Sequence, residues 1–326
     1  MTIHDTRQIP LYVDCDTGID DALALAYLLA QQRARIVGVG TVSGNTTADQ
    51  AAHNTLAILE LAGAAEIPVA IGAQNPLSSG FHGGAPSIHG RDGIGEVGLR
   101  PSEAAPEQVS ATALLAQLAQ ESGGDLHILA LGPLTNLAEF LTEYPDCQDL
   151  ISEVVIMGGA FTRRGNVSAV AEANIHNDPE AAAKVFAARW PITVVPLDLT
   201  MRHLLTEQEA LELLRIPGSL PPKLAAMLDV YFDAYEGLLG TRQCALHDPL
   251  AAMVVAHGVR VVKEDHPRRI EVILDGPERG RTRARITATV DPAPVRRVVA
   301  EIDVPAATVL LDAVRAYSWP MAPVVV

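Results

Sequence analysis

The stretch LYVDCDTGIDDALALAYLL, residues 11–29, joins a short apolar run to an acidic turn and then to a segment with helical periodicity. The apolar run predicts a buried strand at Pro10–Val13, and Gly18 allows the backbone to turn before a helix predicted at Asp20–Gln32. A strand followed directly by a helix is the repeating unit of parallel sheets that are covered by helices. This stretch therefore predicts an α/β fold.

The same alternation of strands and helices continues along most of the chain. Further strands are predicted at Ile36–Val42, Val69–Ile71, Leu126–Leu131, Val154–Met157 and Ile192–Leu197. Further helices are predicted at Thr47–Leu61, Ser110–Gln120, Pro133–Thr142, Pro179–Ala188, Glu207–Leu214 and Pro222–Gly237. After His247–Ala256 the pattern changes, and it predicts strands at Arg269–Leu274, Thr282–Thr289 and Arg297–Asp303 and a closing helix at Ala306–Tyr317.

The chain has no internal repeat and no linker-like break in composition, so residues 1–326 are predicted to form a single α/β domain. We expect a mostly parallel central sheet of the open, Rossmann-like kind, flanked by helices, with a small strand-rich portion near the C-terminus. Ligands bind in such folds at loops that follow the carboxyl ends of the strands. Residues 78–95 and 231–244 are predicted as loops of this kind, either as lids over a ligand or as plain surface loops.

The composition excludes several classes of partner. The 326 residues carry a formal net charge of -15 without a long lysine or arginine run, which disfavours nucleic acid and anionic membranes. The longest apolar stretches, such as Leu23–Ala30, are too short to span a bilayer, and the opening MTIHDTRQIP lacks a signal-peptide pattern. Cys15, Cys147 and Cys244 are widely separated, as is usual in a reducing compartment. We expect a cytoplasmic protein.

Four carboxylates are crowded where the first predicted strand gives way to the first helix: Asp14, Asp16, Asp20 and Asp21. Two carboxylates about 4 Å apart repel by roughly 4 kcal/mol at an effective dielectric constant of 20. The nearby helix N-terminus offsets only ~0.3–1 kcal/mol of this repulsion, whereas a bound divalent cation offsets more. Oxygen ligands without thiolates or clustered histidines select Ca²⁺ or Mg²⁺.

The acidic turn also partly fits a different chemistry. It resembles the nucleophile motif of haloacid dehalogenase-type phosphatases, with Asp14 as the nucleophile and Asp16 as the acid or base. That class also needs a later lysine and a late acidic metal motif after an apolar strand, and neither is evident in this sequence. Gly18 followed by the pair Asp20 and Asp21 is foreign to the motif. A Mg²⁺-dependent phosphatase is therefore the less favoured interpretation of this turn.

A series of motifs resembles the nucleoside hydrolases of the inosine/uridine-preferring kind. DCDTGIDDALAL at 14–25 and VSGN at 42–45 are similar to the N-terminal signature of that family. The similarity continues in the family's order through LGPLTN at 131–136, VVIMGGAF at 154–161, GNVSAVAEANIHNDPEAA at 165–182 and HDPLA at 247–251. The resemblance implies an enzyme that hydrolyses the N-glycosidic bond of ribonucleosides to ribose and a free nucleobase.

The resemblance also implies a set of binding residues. A Ca²⁺ ion would be ligated by Asp16, Asp21, Asp248 and the main-chain carbonyl of Leu131, and Asp14 would lie behind the ion and orient the site. The ribose hydroxyls would be bound by Asp20, Asn45, Asn166, Glu172 and Asn174. Amide and carboxylate groups pair well with a vicinal diol, so the sugar is expected to be the most strictly recognised part of the substrate.

The implied reaction begins with a water on the calcium ion, whose proton is removed by Asp16 as the water approaches the anomeric carbon. The ribosyl group would pass through an oxocarbenium-like transition state. His247 would protonate the leaving base, and a purely structural role is the other interpretation of this histidine. Tyr231 and Tyr235, one helical turn apart, would stack on the base or relay a proton, or else belong to the core. His89 would contact the ligand from the loop at 78–95.

Two questions stay open at this stage. Ala173 lies where purine-accepting relatives carry a bulky aromatic residue, so the sequence does not rank purine and pyrimidine nucleosides. A non-catalytic protein that binds calcium and ribose is a further alternative, although the residues implied in metal binding and catalysis are all present. Relatives are commonly homodimers or homotetramers, so a homo-oligomer is expected.

Overall fold

The computed structural model describes residues 8–285 and 294–321 of the chain. Its strands are β1 (Ile9–Cys15), β2 (Ala34–Thr41), β3 (Val69–Ile71), β4 (Leu126–Ala130), β5 (Ile151–Met157), β6 (Ile192–Val195), β7 (Leu204–Thr206), β8 (Gln243–Ala245), β9 (Val261–Asp265), β10 (Arg269–Val272), β11 (Thr282–Arg285) and β12 (Arg296–Ile302). Eight of them form one sheet in the order β3-β2-β1-β4-β5-β6-β12-β9. All neighbours in this sheet run parallel except β9, which pairs antiparallel with β12 at the edge.

The helices connect these strands and cover both faces of the sheet. They are α1 (Ile19–Ala30), α2 (Ala48–Leu61), α3 (Pro86–His89), α4 (Ala111–Ser122), α5 (Thr135–Glu143), α6 (Ala173–Asn177), α7 (Pro179–Phe186), α8 (Leu197–Thr200), α9 (Glu207–Ala210), α10 (Leu220–Leu239), α11 (His247–Val255) and α12 (Ala306–Ala316). Short 3₁₀ helices lie at Pro145–Leu150, Leu211–Arg215 and Gly276–Glu278. No helix in the described part of the chain combines the length and the apolar character needed to cross a bilayer.

The alternation of side chains along β1 divides the interior into two hydrophobic cores. Leu11, Val13 and Cys15 point into a core that also contains the buried faces of α1, α2, α10, α11 and α12. Tyr12 points to the opposite face, where α4, α5 and α7 pack. A strand buried on both faces explains why the run at 10–13 is continuously apolar rather than alternating.

The predicted fold class is confirmed. All six strands expected before His247 are present as β1–β6, and they form the predicted parallel sheet. The helices expected in the first two hundred residues correspond to α1, α2, α4, α5 and α7. Residues 78–95 lack regular structure apart from the one-turn helix α3, as predicted for a loop.

The predictions of a helix at Pro222–Gly237 and of a loop at 231–244 overlap. The helix is confirmed as α10, and the loop prediction is wrong up to Leu239. Helix α10 continues to Leu239 because Tyr231, Phe232 and Tyr235 bury an apolar face against the core. Gly240 ends the helix in the left-handed conformation, with φ of 73°, and β8 follows directly. This segment is therefore part of the packed scaffold, and the lid interpretation for it is abandoned.

The C-terminal region also differs in detail from the prediction. The helix expected at Glu207–Leu214 is split into α9 and a 3₁₀ turn. The strand expected at Arg297–Asp303 is β12, which joins the main sheet beside β6, while β10 and β11 form a separate antiparallel pair. Residues 286–289 of the strand expected at Thr282–Thr289 lie outside the described residues. The edge strand β9 was not predicted, because its side chains are mostly half-buried or exposed.

The interior near the start of α4 allows one direct test of the packing. A methyl group on Gly40 would overlap the hydroxyl of Tyr12, which donates a 3.0 Å hydrogen bond to the Ala111 carbonyl. We expect Gly40→Ala to lower the free energy of unfolding by roughly 1–3 kcal/mol, as overpacking of a core does. In urea titrations, Tyr12→Phe should recover part of this loss in the double variant, because it removes the overlapping oxygen. Fully additive losses would contradict this contact.

Candidate active site

The carboxyl ends of β1, β2 and β4 bring the acidic turn to one edge of the sheet. Asp14 pairs in register with Gly40 of β2 and Ala130 of β4. Beyond β1 the chain turns at Gly18, where a side chain would lie 2.6 Å from both Asn45 Nδ2 and His89 Nδ1. The backbone N–H of Gly18 donates a 2.7 Å hydrogen bond to Asp21 and so caps α1. Glycine is therefore required where the acidic residues converge.

Acidic residues from distant parts of the sequence meet at this edge. Carboxylate oxygens of Asp20, Asp21 and Asp248 all lie within 4.8 Å of one another, and all three side chains are buried. Asp248 enters from the first turn of α11. Among the described residues, the group that meets this distance contains Asp20 where the sequence prediction had Asp16. Asp16 lies beside the group, and its Oδ2 accepts a 2.6 Å hydrogen bond from the Asn45 backbone N–H.

Several of these carboxylates have oxygen atoms without a partner. One buried oxygen of each of Asp14, Asp16, Asp20 and Asp21 accepts no hydrogen bond from the described residues. Burial raises the pKa of Asp14 to about 7, and burial together with the charge of Asp20 raises the pKa of Asp21 to about 7. Burial and the surrounding carboxylates raise the pKa of Asp248 well above its usual value. Unpaired buried oxygens with no nitrogen or sulfur donor among them fit a hard divalent cation.

The carbonyl of Leu131 faces the same space from the end of β4. The Leu131 N–H donates a 2.8 Å hydrogen bond to the Asp14 carbonyl and so extends the β1–β4 pairing. The Leu131 carbonyl accepts a 2.5 Å hydrogen bond from Asn174 Nδ2, which also donates to the Met157 carbonyl at 3.1 Å. The structure therefore places the predicted carbonyl ligand and a predicted ribose-binding amide in direct contact.

Two further residues expected to bind ribose, Glu172 and Asn166, lie around the start of α6. Glu172 caps this helix, and its carboxylate accepts hydrogen bonds from the backbone N–H groups of Asn174 at 2.9 Å, Ile175 at 3.1 Å and Gly159 at 3.0 Å. Burial raises the pKa of Glu172 in spite of these donors. Asn166 Oδ1 accepts a 2.9 Å hydrogen bond from the Ala173 N–H, which brings the preceding loop back to the helix.

A histidine and two tyrosines form the opposite wall. His247 Nε2 lies 2.7 Å from the Tyr235 hydroxyl, and His247 Nδ1 lies 2.7 Å from the Thr200 hydroxyl. The Tyr231 hydroxyl donates a 3.2 Å hydrogen bond to Asp20, and the two tyrosine rings meet edge to face at 4.8 Å. His89 Nδ1 accepts a 3.1 Å hydrogen bond from the Ile19 N–H at the start of α1.

These groups surround one cavity of about 170 Å³. Its lining includes most of the residues predicted from the sequence: Asp20, Asn45, His89, Leu131, Asn166, Glu172, Asn174, Tyr231, Tyr235, His247 and Asp248. Asp14, Asp16 and Asp21 are not among the lining residues. The cavity is acidic at one end, and at its mouth it carries the exposed apolar side chains of Val167 and Leu238.

The comparisons with known proteins agree with this arrangement. The family model described as inosine-uridine preferring nucleoside hydrolase matches residues 11–308. The chain belongs to this family. It is 37% identical to uridine nucleosidase 1 of Arabidopsis thaliana over 245 residues, which cover 75% of this chain and 73% of the relative. It is 36% identical to the pyrimidine-specific ribonucleoside hydrolase RihA of Shewanella oneidensis over 74% of this chain and 75% of the relative.

Solved structures lead to the same family. A purine-preferring ribonucleoside hydrolase from Gardnerella vaginalis superposes with a TM-score of 0.88 at 34% identity, covering 94% of this chain and 100% of that chain. A plant nucleoside hydrolase superposes with a TM-score of 0.89 at 29% identity, covering 95% of this chain and 100% of the other. The protein is thus a ribonucleoside hydrolase, an enzyme that cleaves N-glycosyl bonds. The phosphatase and the non-catalytic binding protein are not retained as alternatives.

Two residues of this nucleoside hydrolase site escaped the sequence prediction. Asn136 donates hydrogen bonds to Asp14 at 2.8 Å and to the Thr41 carbonyl at 3.0 Å, and its Oδ1 accepts from the Ala73 N–H at 2.8 Å. It lies within the matched LGPLTN motif, so a signal was present. Thr200, which holds His247, lies in no motif, and its contact arises only from tertiary packing.

The position of Asp16 in this nucleoside hydrolase can be tested through its neighbour Gly44. A methyl group on Gly44 would overlap Asp16 Oδ2, whereas a methyl group on the exposed Gly80 would have no atom of the described residues within 4 Å. We expect Gly44→Ala to lower kcat/KM by about 10²-fold, as a displacement of roughly 1 Å in an active site does. Gly80→Ala is the matched control and should behave as the wild type in the same assay of ribose release. Equal activity of the two variants would show that Asp16 needs no fixed position.

Proposed function

We propose that the enzyme uses a Ca²⁺ ion held by Asp16, Asp21, Asp248 and the Leu131 carbonyl, with Asp16 as the general base. The observation that carries this proposal is the convergence of buried carboxylates, with unpaired oxygens, at one end of a cavity lined by the residues predicted to bind ribose. When bound, the ion would neutralise the carboxylates, help to hold the ribose diol and lower the pKa of a nearby water. The chemical steps themselves depend on the side chains around the cavity.

Asp16 has the hydrogen bonding that a fixed base requires. Its Oδ2 is occupied by the N–H of Asn45 at 2.6 Å, and its Oδ1 has no partner among the described residues. The free oxygen is therefore available both to the ion and to the proton of an attacking water, while the other oxygen holds the carboxylate in place. As the water oxygen bonds to the anomeric carbon, the bond from that carbon to the base nitrogen breaks and its electron pair leaves with the base.

The positive charge that develops on the ribosyl group would be stabilised by the surrounding carboxylates. Asp20 lies in the same acidic group and also lines the cavity, so it is suited to accept a ribose hydroxyl. Asn45, Asn166, Glu172 and Asn174 would bind the hydroxyls together with it. Both oxygens of Glu172 already accept backbone hydrogen bonds, which fixes its orientation before the sugar binds.

The leaving base would receive its proton from the histidine and tyrosine wall. Both ring nitrogens of His247 are already within hydrogen-bond distance of hydroxyls, Nδ1 of Thr200 and Nε2 of Tyr235. A proton that passes between His247 and a base in the cavity would therefore travel through the Tyr235 hydroxyl. Tyr231 is paired with Asp20 and lies edge to face with Tyr235, which supports a contact with the base close to the sugar.

Replacement of the proposed base gives a direct prediction. Asp16→Asn keeps the size of the side chain but not its basicity, so kcat should fall by about 10²–10⁴-fold, the usual contribution of a general base. The matched control is Asp49→Asn, because Asp49 lies on the surface of α2 with its side chain 70% exposed. The kcat of both variants is measured from the ribose that they release from a panel of purine and pyrimidine ribonucleosides. Nearly intact turnover of Asp16→Asn would remove Asp16 from this role.

Removal of calcium tests whether the enzyme needs the ion, separately from whether it is a hydrolase. We expect a calcium chelator to abolish ribose release and added Ca²⁺ to restore it. Calcium should also raise the melting temperature of the wild-type enzyme, because an ion that binds only the folded state stabilises it, by about 2.7 kcal/mol at a hundred times its Kd. Asp248→Asn should lose this thermal shift. A chelated enzyme with full activity and an unchanged melting temperature would contradict the calcium site while leaving the hydrolase assignment intact.

A further inference from the structure

The segment between β5 and α6 carries Asn166 to the cavity without regular secondary structure. Residues 158–172 form no helix or strand, and Asn166 and Val167 within them line the cavity although both are exposed. The end of the segment is fixed by the Asn166–Ala173 hydrogen bond and by Glu172. A segment of this kind needs an anchor at its start as well if Asn166 is to meet a sugar hydroxyl at a defined position.

A single carboxylate, that of Asp198, provides this anchor. Its Oδ2 accepts a 2.8 Å hydrogen bond from the N–H of Phe161. Its Oδ1 accepts from the N–H groups of Thr162 at 2.8 Å and Arg163 at 3.0 Å, and also from the Thr162 hydroxyl. Three consecutive backbone N–H groups and one hydroxyl therefore converge on one side chain. The last of these backbone groups precedes Asn166 by only three residues.

The protonation state of Asp198 agrees with this role. Burial alone would raise the pKa of its carboxyl, but the hydrogen bonds from Thr162, Phe161 and Arg163 outweigh burial and leave the pKa below its ordinary value. The carboxylate is therefore ionised at neutral pH and acts only as an acceptor. Hydrogen bonds to a charged acceptor are stronger than those between neutral groups, so the anchor resists thermal opening of the segment.

Asp198 belongs to the same short helix that positions the opposite wall of the cavity. Helix α8 places Thr200 against His247 Nδ1, and the Leu197 N–H donates a 3.0 Å hydrogen bond to the Gly159 carbonyl. One turn of helix thus contacts both the start of the Asn166 segment and the histidine assigned to the leaving base. Within the segment, a side chain on Gly165 would overlap the backbone of Ala171, so the path from the anchor to Asn166 is closely packed.

We propose that Asp198 is a positioning residue for ribonucleoside hydrolysis: it fixes the segment that starts at Phe161 and thereby sets the position of Asn166 in the sugar site. The inference rests on the proposed role of Asn166 in ribose binding. Asp198 itself does not line the cavity, and it acts through the backbone of the segment. The reaction is expected to depend on Asp198 without any contact between this residue and the substrate.

The test is a comparison of Asp198→Ala with a matched aspartate. Asp303 also accepts a backbone hydrogen bond, from the Arg260 N–H at 3.0 Å, but it does not line the cavity. We expect Asp198→Ala to lower kcat/KM by about 10–100-fold, and Asp303→Ala to leave it within twofold of the wild type. Asp198→Asn keeps an oxygen for the Thr162 and Arg163 donors and loses the Phe161 contact, so its activity should be intermediate. It is also the variant to use if Asp198→Ala does not fold.

The energetic coupling between Asp198 and Asn166 distinguishes a positioning role of Asp198 from a general effect on stability. In the Asn166→Ala background, Asp198→Ala should change kcat/KM by less than about threefold, because the group that it positions is already gone. Hydrogen exchange should show the amides of 161–163 losing protection in Asp198→Ala and keeping it in Asp303→Ala. Wild-type kcat/KM in Asp198→Ala, or the same full loss in the Asn166→Ala background, would overturn the proposal. If instead Asn166 does not bind the sugar, the single Asn166→Ala variant should have a normal kcat/KM.

Discussion

The repulsion among buried carboxylates at the carboxyl end of β1 is the main energetic constraint on this structure. Asp14, Asp16, Asp20 and Asp21 are removed from water by the packing of the sheet and α1, and Asp248 is brought to them by α11. Desolvation penalises every one of these charges, and their mutual repulsion adds to the penalty. A bound cation would offset part of this cost. The site is thus costly for folding and well suited to hold a cation and a polar sugar.

The scaffold around the cluster provides rigidity on three sides. The parallel strands β1 and β4 fix the acidic turn and the Leu131 carbonyl by backbone pairing. Helix α10 holds Tyr231 and Tyr235 as part of the core, so that wall is built on regular structure. The sugar side is different, because Asn166 lies on an irregular segment that depends on side-chain anchors. Under the proposed roles, strands and helices position the metal and base sites, and Asp198 and Glu172 position part of the sugar site.

The fold and the acidic turn could be predicted from the sequence because their signals are local. A strand, a glycine and a helix follow one another within residues 11–29, and four aspartates lie within that stretch. The convergence of Asp248 with them followed only from the family resemblance, since periodicity says nothing about contacts between distant segments. The presence of Asp20 rather than Asp16 in the tightest carboxylate group depends on side-chain directions after a turn. The helix predicted at Pro222–Gly237 and the loop predicted at 231–244 overlap in sequence, and only the burial of Tyr231 and Tyr235 against the core shows that the helix continues to Leu239.

The proposed mechanism depends on one hard cation that is bound jointly by the acidic turn after β1 and by Asp248. A crystal structure of the enzyme grown with Ca²⁺, with the ion identified by its anomalous scattering, tests it most directly. We expect an ion at about 2.3–2.6 Å from carboxylate oxygens of Asp16, Asp21 and Asp248 and from the Leu131 carbonyl. A cavity that contains no ion under these conditions, or an ion bound away from Asp248, would contradict it.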